Sequence, residues 1–240
     1  GAGKTTLLLL LAGLKRPDKG TITILGHPAD ATALLPRVGL LTDRFSLYPQ
    51  FRVVEVGKIF SRLFGLPDDA GAAVLEELGL TAHLDKRVHQ LSSGLRRRLF
   101  IAVSIIHGPE LIMLDEPFSG LDPESVNKVS DAARTWRDAG KTVIISSHDL
   151  HELEQLVDDL VVLREGKVQA SGDFIGLIRQ SGLQPTVQIE TTSESFVCDV
   201  KSLEPTLARA RATGEPILRI VTRGTTLGDL YTHLHQTETR

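Results

Sequence analysis

The chain has 240 residues, of which 41% are hydrophobic and 24% charged, an ordinary composition for a globular protein. Its formal net charge of -3 argues against a general nucleic-acid binder, because such proteins usually carry a basic face. The single cysteine, Cys198, excludes an internal disulfide and a cysteine zinc cluster, and it fits a reducing cytoplasm. No apolar run approaches the roughly 18 residues of a membrane-spanning helix.

Strands and helices alternate along most of the chain. In order, the sequence predicts a helix over 4–14, a strand over 21–25, an apolar run over 37–41, helices between 53 and 99, a strand over 111–114, a helix over 125–139 and a strand over 142–146. This alternation predicts βαβ units and a mostly parallel sheet. The pattern changes after about residue 171. Strands over 186–191 and 217–222, with helices over 203–212 and 227–234, then predict a small appendage.

The first six residues match the second half of the phosphate-binding motif G-x-x-x-x-G-K-[ST]. They are Gly1, Ala2, Gly3, Lys4, Thr5 and Thr6. Glycines let backbone N–H groups approach the phosphates, and the helix that follows directs its positive end toward them. Lys4 would reach the β- and γ-phosphates, and Thr5 would hold Mg²⁺. The alternative is a chance glycine-rich turn before a helix.

The apolar strand over 111–114 ends in two carboxylates, Asp115 and Glu116. Such a strand places charged side chains at the carboxyl edge of a parallel sheet, where ligands bind. Asp115 suits the Mg²⁺ shell, directly or through water, and Glu116 is placed to polarise an attacking water. Taken alone, the pair could equally be the exposed end of a surface strand.

Three further motifs complete a specific order. They are Leu91-Ser92-Ser93-Gly94-Leu95 before a helix, Ser119-Gly120-Leu121-Asp122 after Glu116, and Ser146-Ser147-His148 at the end of a strand. From Gly1 to about Gly172, this order resembles the Walker A, Q-loop, signature, Walker B, D-loop and H-loop of the ABC ATPase family. The resemblance implies an α/β P-loop NTPase fold with a mostly parallel sheet. It places an ATPase domain at 1–172, a helical subdomain at about 44–108, and a small α+β C-terminal appendage at 173–240.

The resemblance also implies a nucleotide contact made across a dimer. Ser92, Ser93 and Gly94 match the signature loop, which in the family covers the γ-phosphate bound to the opposite subunit. A serine hydroxyl and a helix N-terminus suit an anion. Ser93 replaces the usual glycine of the motif and Leu95 the usual glutamine. Asp122 matches the D-loop aspartate of the nucleotide site, which is expected at the dimer interface.

The same resemblance implies the residues of hydrolysis. Glu116 matches the catalytic glutamate, the candidate general base. His148 matches the switch histidine, which contacts the γ-phosphate and orients water and Glu116; taken alone, it would be an ordinary strand-end histidine. Asp43 stands where the Q-loop glutamine normally touches Mg²⁺ and couples to the membrane domain. A carboxylate is a stronger Mg²⁺ ligand but brings charge near the phosphates. The alternative is that the alignment slips in this variable loop.

Arg96, Arg97 and Arg98 form a basic run beside the signature loop. A nucleic-acid contact is one interpretation. The favoured interpretation is a solvated helix face, the usual position of a run of charges on a helix.

The resemblance therefore implies an ATP- and Mg²⁺-dependent ATPase that forms a homodimer and drives a separate integral membrane permease. It would lie peripherally at the cytoplasmic face of the membrane, dock through the segment from Phe45 to Phe64, and bind no nucleic acid directly. The run from Thr225 to Tyr231 resembles the tails of drug, antibiotic and ion exporter ATPases, so export is favoured. The alternatives are the ATPase of a solute importer and a non-transport ABC ATPase.

The half motif at the start has one more implication. The first glycine of a complete motif would lie three positions before Gly1, and the strand that feeds the loop would precede that glycine. We therefore expect this chain to be truncated within Walker A and the physiological protein to begin several tens of residues earlier, by the usual layout of the family.

Overall fold

The computed structural model describes residues 1–43, 45–154 and 156–236. The chain divides into two compact units, Gly1–Leu156 and Val157–Arg240. This division falls earlier than the predicted boundary at 172, since a β-hairpin between residues 159 and 173 belongs to the second unit. The limits of an ATPase domain at 1–172 and an appendage at 173–240 therefore stay a prediction.

The first unit alternates helices with strands, as the sequence predicts. Its elements are α1 (Lys4–Leu11), β1 (Thr23–Ile24), β2 (His27–Pro28), α2 (Ala31–Leu34), β3 (Val38–Leu41), α3 (Val53–Leu63), α4 (Ala70–Glu77), α5 (Ser93–Ile105), β4 (Leu111–Asp115), α6 (Pro123–Asp138), β5 (Thr142–Ser146) and α7 (Leu150–Glu154). Strands β3, β4 and β5 form a parallel sheet with β4 in the centre, whereas β1 and β2 form a short antiparallel pair.

The centre of the first unit is β4, whose five residues are all buried. A strand of a parallel sheet that is covered on both faces is a continuous apolar run, which explains the sequence over 111–114. Helix α1 packs against β4. The core cluster around this contact consists of Leu8, Ala12, Leu34, Val38, Leu111 and Met113. The sheet register pairs Leu114 with Leu41 and Asp115 with Ser146, so the carboxyl ends of the three strands meet at one edge.

The second unit has both α-helices and strands. They are β6 (Asp159–Arg164), β7 (Lys167–Asp173), α8 (Phe174–Ser181), β8 (Thr186–Thr191), β9 (Ser195–Asp199), α9 (Leu203–Ala212), β10 (Ile217–Arg223) and α10 (Leu227–Gln236). Strands β6 and β7 pair antiparallel, and an antiparallel sheet has the order β10-β8-β9. Its core is formed by Val187, Ile189 and Ala210. The predicted elements β8, α9, β10 and α10 are confirmed, whereas β6, β7, α8 and β9 were not predicted.

Among the described residues, no helix has the length and the apolar character needed to cross a membrane.

Candidate nucleotide and hydrolysis site

Helix α1 begins directly after the first glycines of the predicted phosphate-binding loop. Gly3 caps it with φ 101°, a left-handed conformation that costs glycine nothing because it has no Cβ. The N–H groups of a helix's first turn have no acceptor within the helix, and here they belong to Lys4, Thr5 and Thr6. No acidic side chain lies in this turn. The turn is therefore suited to a phosphate group.

The packing of α1 on β4 joins the two predicted halves of the site. Thr5 Oγ1 donates a hydrogen bond to Asp115 Oδ2 over 2.6 Å. Lys4 Nζ lies 2.6 Å from Glu116 Oε1 and forms an ion pair with it. Residues separated by more than 100 positions in sequence thus meet at the carboxyl edge of the sheet.

Glu116 accepts hydrogen bonds on both carboxylate oxygens. Lys4 donates to Oε1, and His148 approaches Oε2 through its backbone N–H at 3.2 Å and its ring Nδ1 at 2.7 Å. Partial burial raises the pKa of Glu116, but the bonds from Lys4 and His148 outweigh it and hold this pKa below its ordinary value. Glu116 is therefore a carboxylate near neutral pH, the protonation state that a general base requires.

Ser146 is a site residue whose motif was noted in the sequence but to which no role was assigned. Its hydroxyl donates to Asp115 Oδ1 and accepts from the Glu116 backbone N–H at 3.1 Å. The Ser146 carbonyl accepts from the same N–H at 3.0 Å. The available signal was its position as the last residue of β5, which lies opposite Asp115 when two adjacent parallel strands end together.

The predicted signature loop lies at the start of α5. Ser92 Oγ caps the helix by accepting from Leu95 N at 3.2 Å, and Ser92 and Ser93 are exposed. Gly94 is buried, and a Cβ added to it would lie 2.3 Å from Ser125 Oγ and 2.8 Å from Asp122 Oδ2. Only glycine fits this approach of α5 to the start of α6.

Asp122 occupies the N-cap of α6, just before Pro123. Its carboxylate accepts from Ser125 N and from Ser125 Oγ, both at 2.9 Å. These two bonds lower the pKa of Asp122. Asp122, the predicted D-loop aspartate, therefore has a capping role in its own chain, next to Gly94.

The interpretation of the basic run as a solvated face is wrong for two of its three residues. Arg98 is only 6% exposed, and its Nη1 donates to the Leu78 carbonyl at 3.0 Å. Arg97 is half-buried, and Arg96 alone is exposed. The reason is that α5 packs against β3, α3, α4 and α6, so most of its circumference faces protein.

Asp43 lies just beyond the end of β3, at the edge of the sheet where β4 also ends, and it is exposed. Although burial lowers the pKa of the nearby Arg97 guanidinium, the Asp43 carboxylate acts in the opposite direction, together with Asp115 and Glu116. Its predicted role as a Mg²⁺ ligand stays a prediction.

The donors fit a magnesium ion. No cluster of three or more His, Cys, Asp or Glu ligands occurs in the described part of the chain. Mg²⁺ does not need one, because in nucleotide sites it binds one or two protein oxygens together with phosphates and waters. The Thr5 hydroxyl and the Asp115 carboxylate are such oxygens, 2.6 Å apart.

Comparisons with known proteins agree with this arrangement. Residues 1–119 match the family described as ABC transporter. The Nod factor export ATP-binding protein I of Burkholderia orbicola (strain AU 1054) is 35% identical, over 98% of this chain and 84% of the relative. The protein of the same name from Ralstonia nicotianae (strain ATCC BAA-1114 / GMI1000) is 32% identical, over 100% and 84%.

Solved structures share the fold. The ATP-binding subunit of an ABC transporter superposes with a TM-score of 0.73 at 23% identity, covering 98% of this chain and 84% of that one. The chain belongs to the ABC transporter family. Within that family it is an ATP-binding subunit, and it hydrolyses ATP.

Proposed function

We propose that this chain powers export through a separate membrane permease. The observation that carries its motor role is the arrangement of Glu116 between Lys4 and His148 at the end of β4. The export direction is supported by relatives named for export that match 98% or more of the chain, including its second unit.

In the proposed hydrolysis, Glu116 accepts the proton of the attacking water. His148 keeps Glu116 Oε2 in place, because its backbone N–H and Nδ1 both contact that oxygen. Lys4 can donate to a phosphate oxygen or to Glu116 Oε1, so it links the position of the phosphate to the state of the base. Thr5 and Asp115 would hold Mg²⁺, which neutralises charge that develops on the phosphates.

The second partner in this proposal is another copy of the chain. Ser92 and Ser93 are exposed at the positive end of α5, and they are available to an anion that another subunit brings. Asp122 beside Gly94 would lie at the same interface. An ATP molecule shared in this way would stabilise a closed dimer, and hydrolysis would release it.

The permease would dock on apolar side chains around α3. Tyr48 is 75% exposed and Leu63 72%, with Phe51 at 38%. By contrast, Phe45 packs with its ring centroid 6.2 Å from that of Phe60 and 5.3 Å from another ring within the unit. Clustered exposed apolar groups are typical of interaction sites, and the rings of Tyr48 and Phe51 lie with their centroids 5.7 Å apart. We therefore assign docking to Tyr48 and its exposed neighbours, at the cytoplasmic face of the membrane.

Affinity purification from solubilised membranes tests the proposal. The parent chain is expected to retain an integral membrane protein, and the variant Tyr48→Ser/Leu63→Ser is expected to lose it while it keeps its own ATPase activity. Leu14→Ser, at a site 55% exposed after α1, is the matched control. Absence of any membrane protein from the parent sample contradicts the proposal and favours a non-transport ABC ATPase.

The direction of transport needs a separate comparison. In cells that lack the chain, an exported compound should accumulate inside and decrease in the medium, and the parent chain should restore both levels. An importer gives the opposite change.

A further inference from the structure

The side chain of Arg97 connects helix α5 to the end of β4. Arg97 Nη2 donates hydrogen bonds to the backbone carbonyls of two consecutive residues, Asp115 and Glu116, the second at 2.9 Å. Arginine presents several donors in a planar group, so one side chain can hold two adjacent acceptors. The guanidinium thus contacts the backbone that carries both Walker B carboxylates.

Glu116 has an unusual backbone conformation. Its φ is 49°, in the left-handed region that a residue with a Cβ seldom adopts. Such a conformation persists only where the surroundings hold it, and it is often found at functional sites. Here the Glu116 N–H donates to Ser146, and the Glu116 carbonyl accepts from Arg97. The peptide groups on both sides of the Glu116 Cα are therefore fixed.

The positive charge of Arg97 also lies near the carboxylates of the site. The side chain is half-buried, and burial lowers its pKa, while the carboxylates of Asp115, Asp43 and Glu116 act in the opposite direction. Its hydrogen bonds go to neutral carbonyls, and its Nε is buried without a hydrogen-bond partner among the described residues. The Arg97 guanidinium is therefore hydrogen-bonded to backbone carbonyls, and its charge acts on the carboxylates of Asp115, Asp43 and Glu116 together.

We propose that Arg97 is a positioning residue for ATP hydrolysis, which holds the Glu116 backbone so that its carboxylate stays between Lys4 and His148. Arg97 lies within the second turn of α5, whose first turn carries Ser93 and Gly94 of the signature loop. Arg97 therefore connects the predicted signature loop, which would contact the nucleotide bound to the partner subunit, with Glu116, the proposed base of its own chain. This inference rests on the proposed role of Glu116.

The test is steady-state and single-turnover ATPase measurement of the full chain with Mg²⁺. Arg97→Gln removes the charge and the planar fork, so kcat is expected to fall by about 10- to 10²-fold, the size of effect that misplacement of a catalytic group produces. The KM for ATP should change less than about threefold, because the hydrogen bonds of Arg97 to described residues go to the end of β4 and not to residues 1–6. Arg134→Gln, on the surface of α6 and paired with Asp131, is the control.

A double-mutant cycle separates positioning from a general loss of stability. If Arg97 acts through Glu116, Arg97→Gln should cause little further loss in a Glu116→Gln background. Arg97→Lys keeps the charge without the fork, and an intermediate kcat with an unchanged KM is expected. If Arg97→Gln does not fold, the kcat of Arg97→Lys tests the positioning role of Arg97.

Three results overturn the inference. They are an unchanged kcat in Arg97→Gln, an unchanged kcat in Arg97→Lys where only that variant folds, and a loss of the same size in the parent and Glu116→Gln backgrounds. Failure of the proposed function gives a different result. Parental turnover in Glu116→Gln alone removes Glu116 as the base, whatever Arg97 does.

Discussion

Lys4 and Glu116 form an ion pair, with Nζ 2.6 Å from Oε1, although 112 positions separate them in sequence. The pair connects the phosphate-binding loop to the proposed base. A phosphate that draws Lys4 away would remove one of the donors that acidify Glu116, and its pKa would then rise. A carboxylate of higher pKa accepts a proton more readily, so phosphate binding would itself favour hydrolysis.

The ion pair predicts how stability depends on pH. The pKa of Glu116 in the folded chain lies below its ordinary value of 4.5, so its contribution to stability is present above that value and is lost as the pH falls through the folded pKa. In Lys4→Met, burial and the remaining His148 bonds set the pKa, which should rise. The stabilising contribution of Glu116 should then be smaller, and what remains of it should be lost over a narrower pH range that ends at a higher pH.

Urea unfolding across the acid range measures this shift, with Lys15→Met, at an exposed position after α1, as the control. If Lys4→Met and Lys15→Met follow the same stability curve as the parent, the ion pair has no thermodynamic effect.

The contact between α5 and α6 predicts the effect of Gly94→Ala. The added Cβ would lie 2.3 Å from Ser125 Oγ, so the helices must shift, and overpacking of this kind costs about 1–3 kcal/mol. Adding Ser125→Ala removes that oxygen and should recover part of the loss. Gly224→Ala, where a Cβ meets open space, should be close to neutral. Denaturant unfolding that finds Gly94→Ala as stable as the parent argues against this close packing.

The carboxylate at the Q-loop position predicts an altered Mg²⁺ response. Asp43→Gln removes a charge from the edge of the sheet near Arg97, so ATP binding should stay roughly intact while the Mg²⁺ dependence of hydrolysis, or its coupling to the permease, changes. Magnesium titrations of ATPase activity and transport assays measure the two effects. Asp18→Gln, in an exposed turn, is the control. Parental behaviour of both Asp43→Gln and Asp43→Ala in both assays contradicts the assignment.

The motifs were sufficient to predict the meeting of Lys4 and Thr5 with Asp115 and Glu116. An apolar strand that ends in carboxylates, beside a helix that starts with a phosphate loop, has one common arrangement in a parallel sheet. Ser146 could not be assigned, because its role depends on the register of β4 against β5, and periodicity within one strand does not determine the register between strands.

The basic run over residues 96–98 shows a different limit of prediction from the sequence. Sequence patterns predict which face of a helix is apolar, but a long side chain can bury its stem and carry its charge to a distant backbone group. Arg97 does so across α5 to β4, and Arg98 reaches the Leu78 carbonyl. In the second unit, β6, β7 and β9 were missed. The burial of β6 and β7 alternates only in part, and β9 alternates but carries the apolar Val197 on its exposed face. All three strands are stabilised by pairing.

The most direct test of the account is ATP turnover by Glu116→Gln in saturating MgATP, compared with Glu110→Gln. The two glutamates flank the same strand, but Glu110 is 59% exposed and pairs with Arg37 at the opposite end of β4. Glu116→Gln is expected to bind ATP, to accumulate ATP-bound dimers, and to lose turnover by on the order of 10²-fold or more, as for the removal of a general base. Glu110→Gln should hydrolyse ATP at the parental rate. Near-parental turnover by Glu116→Gln would contradict the account.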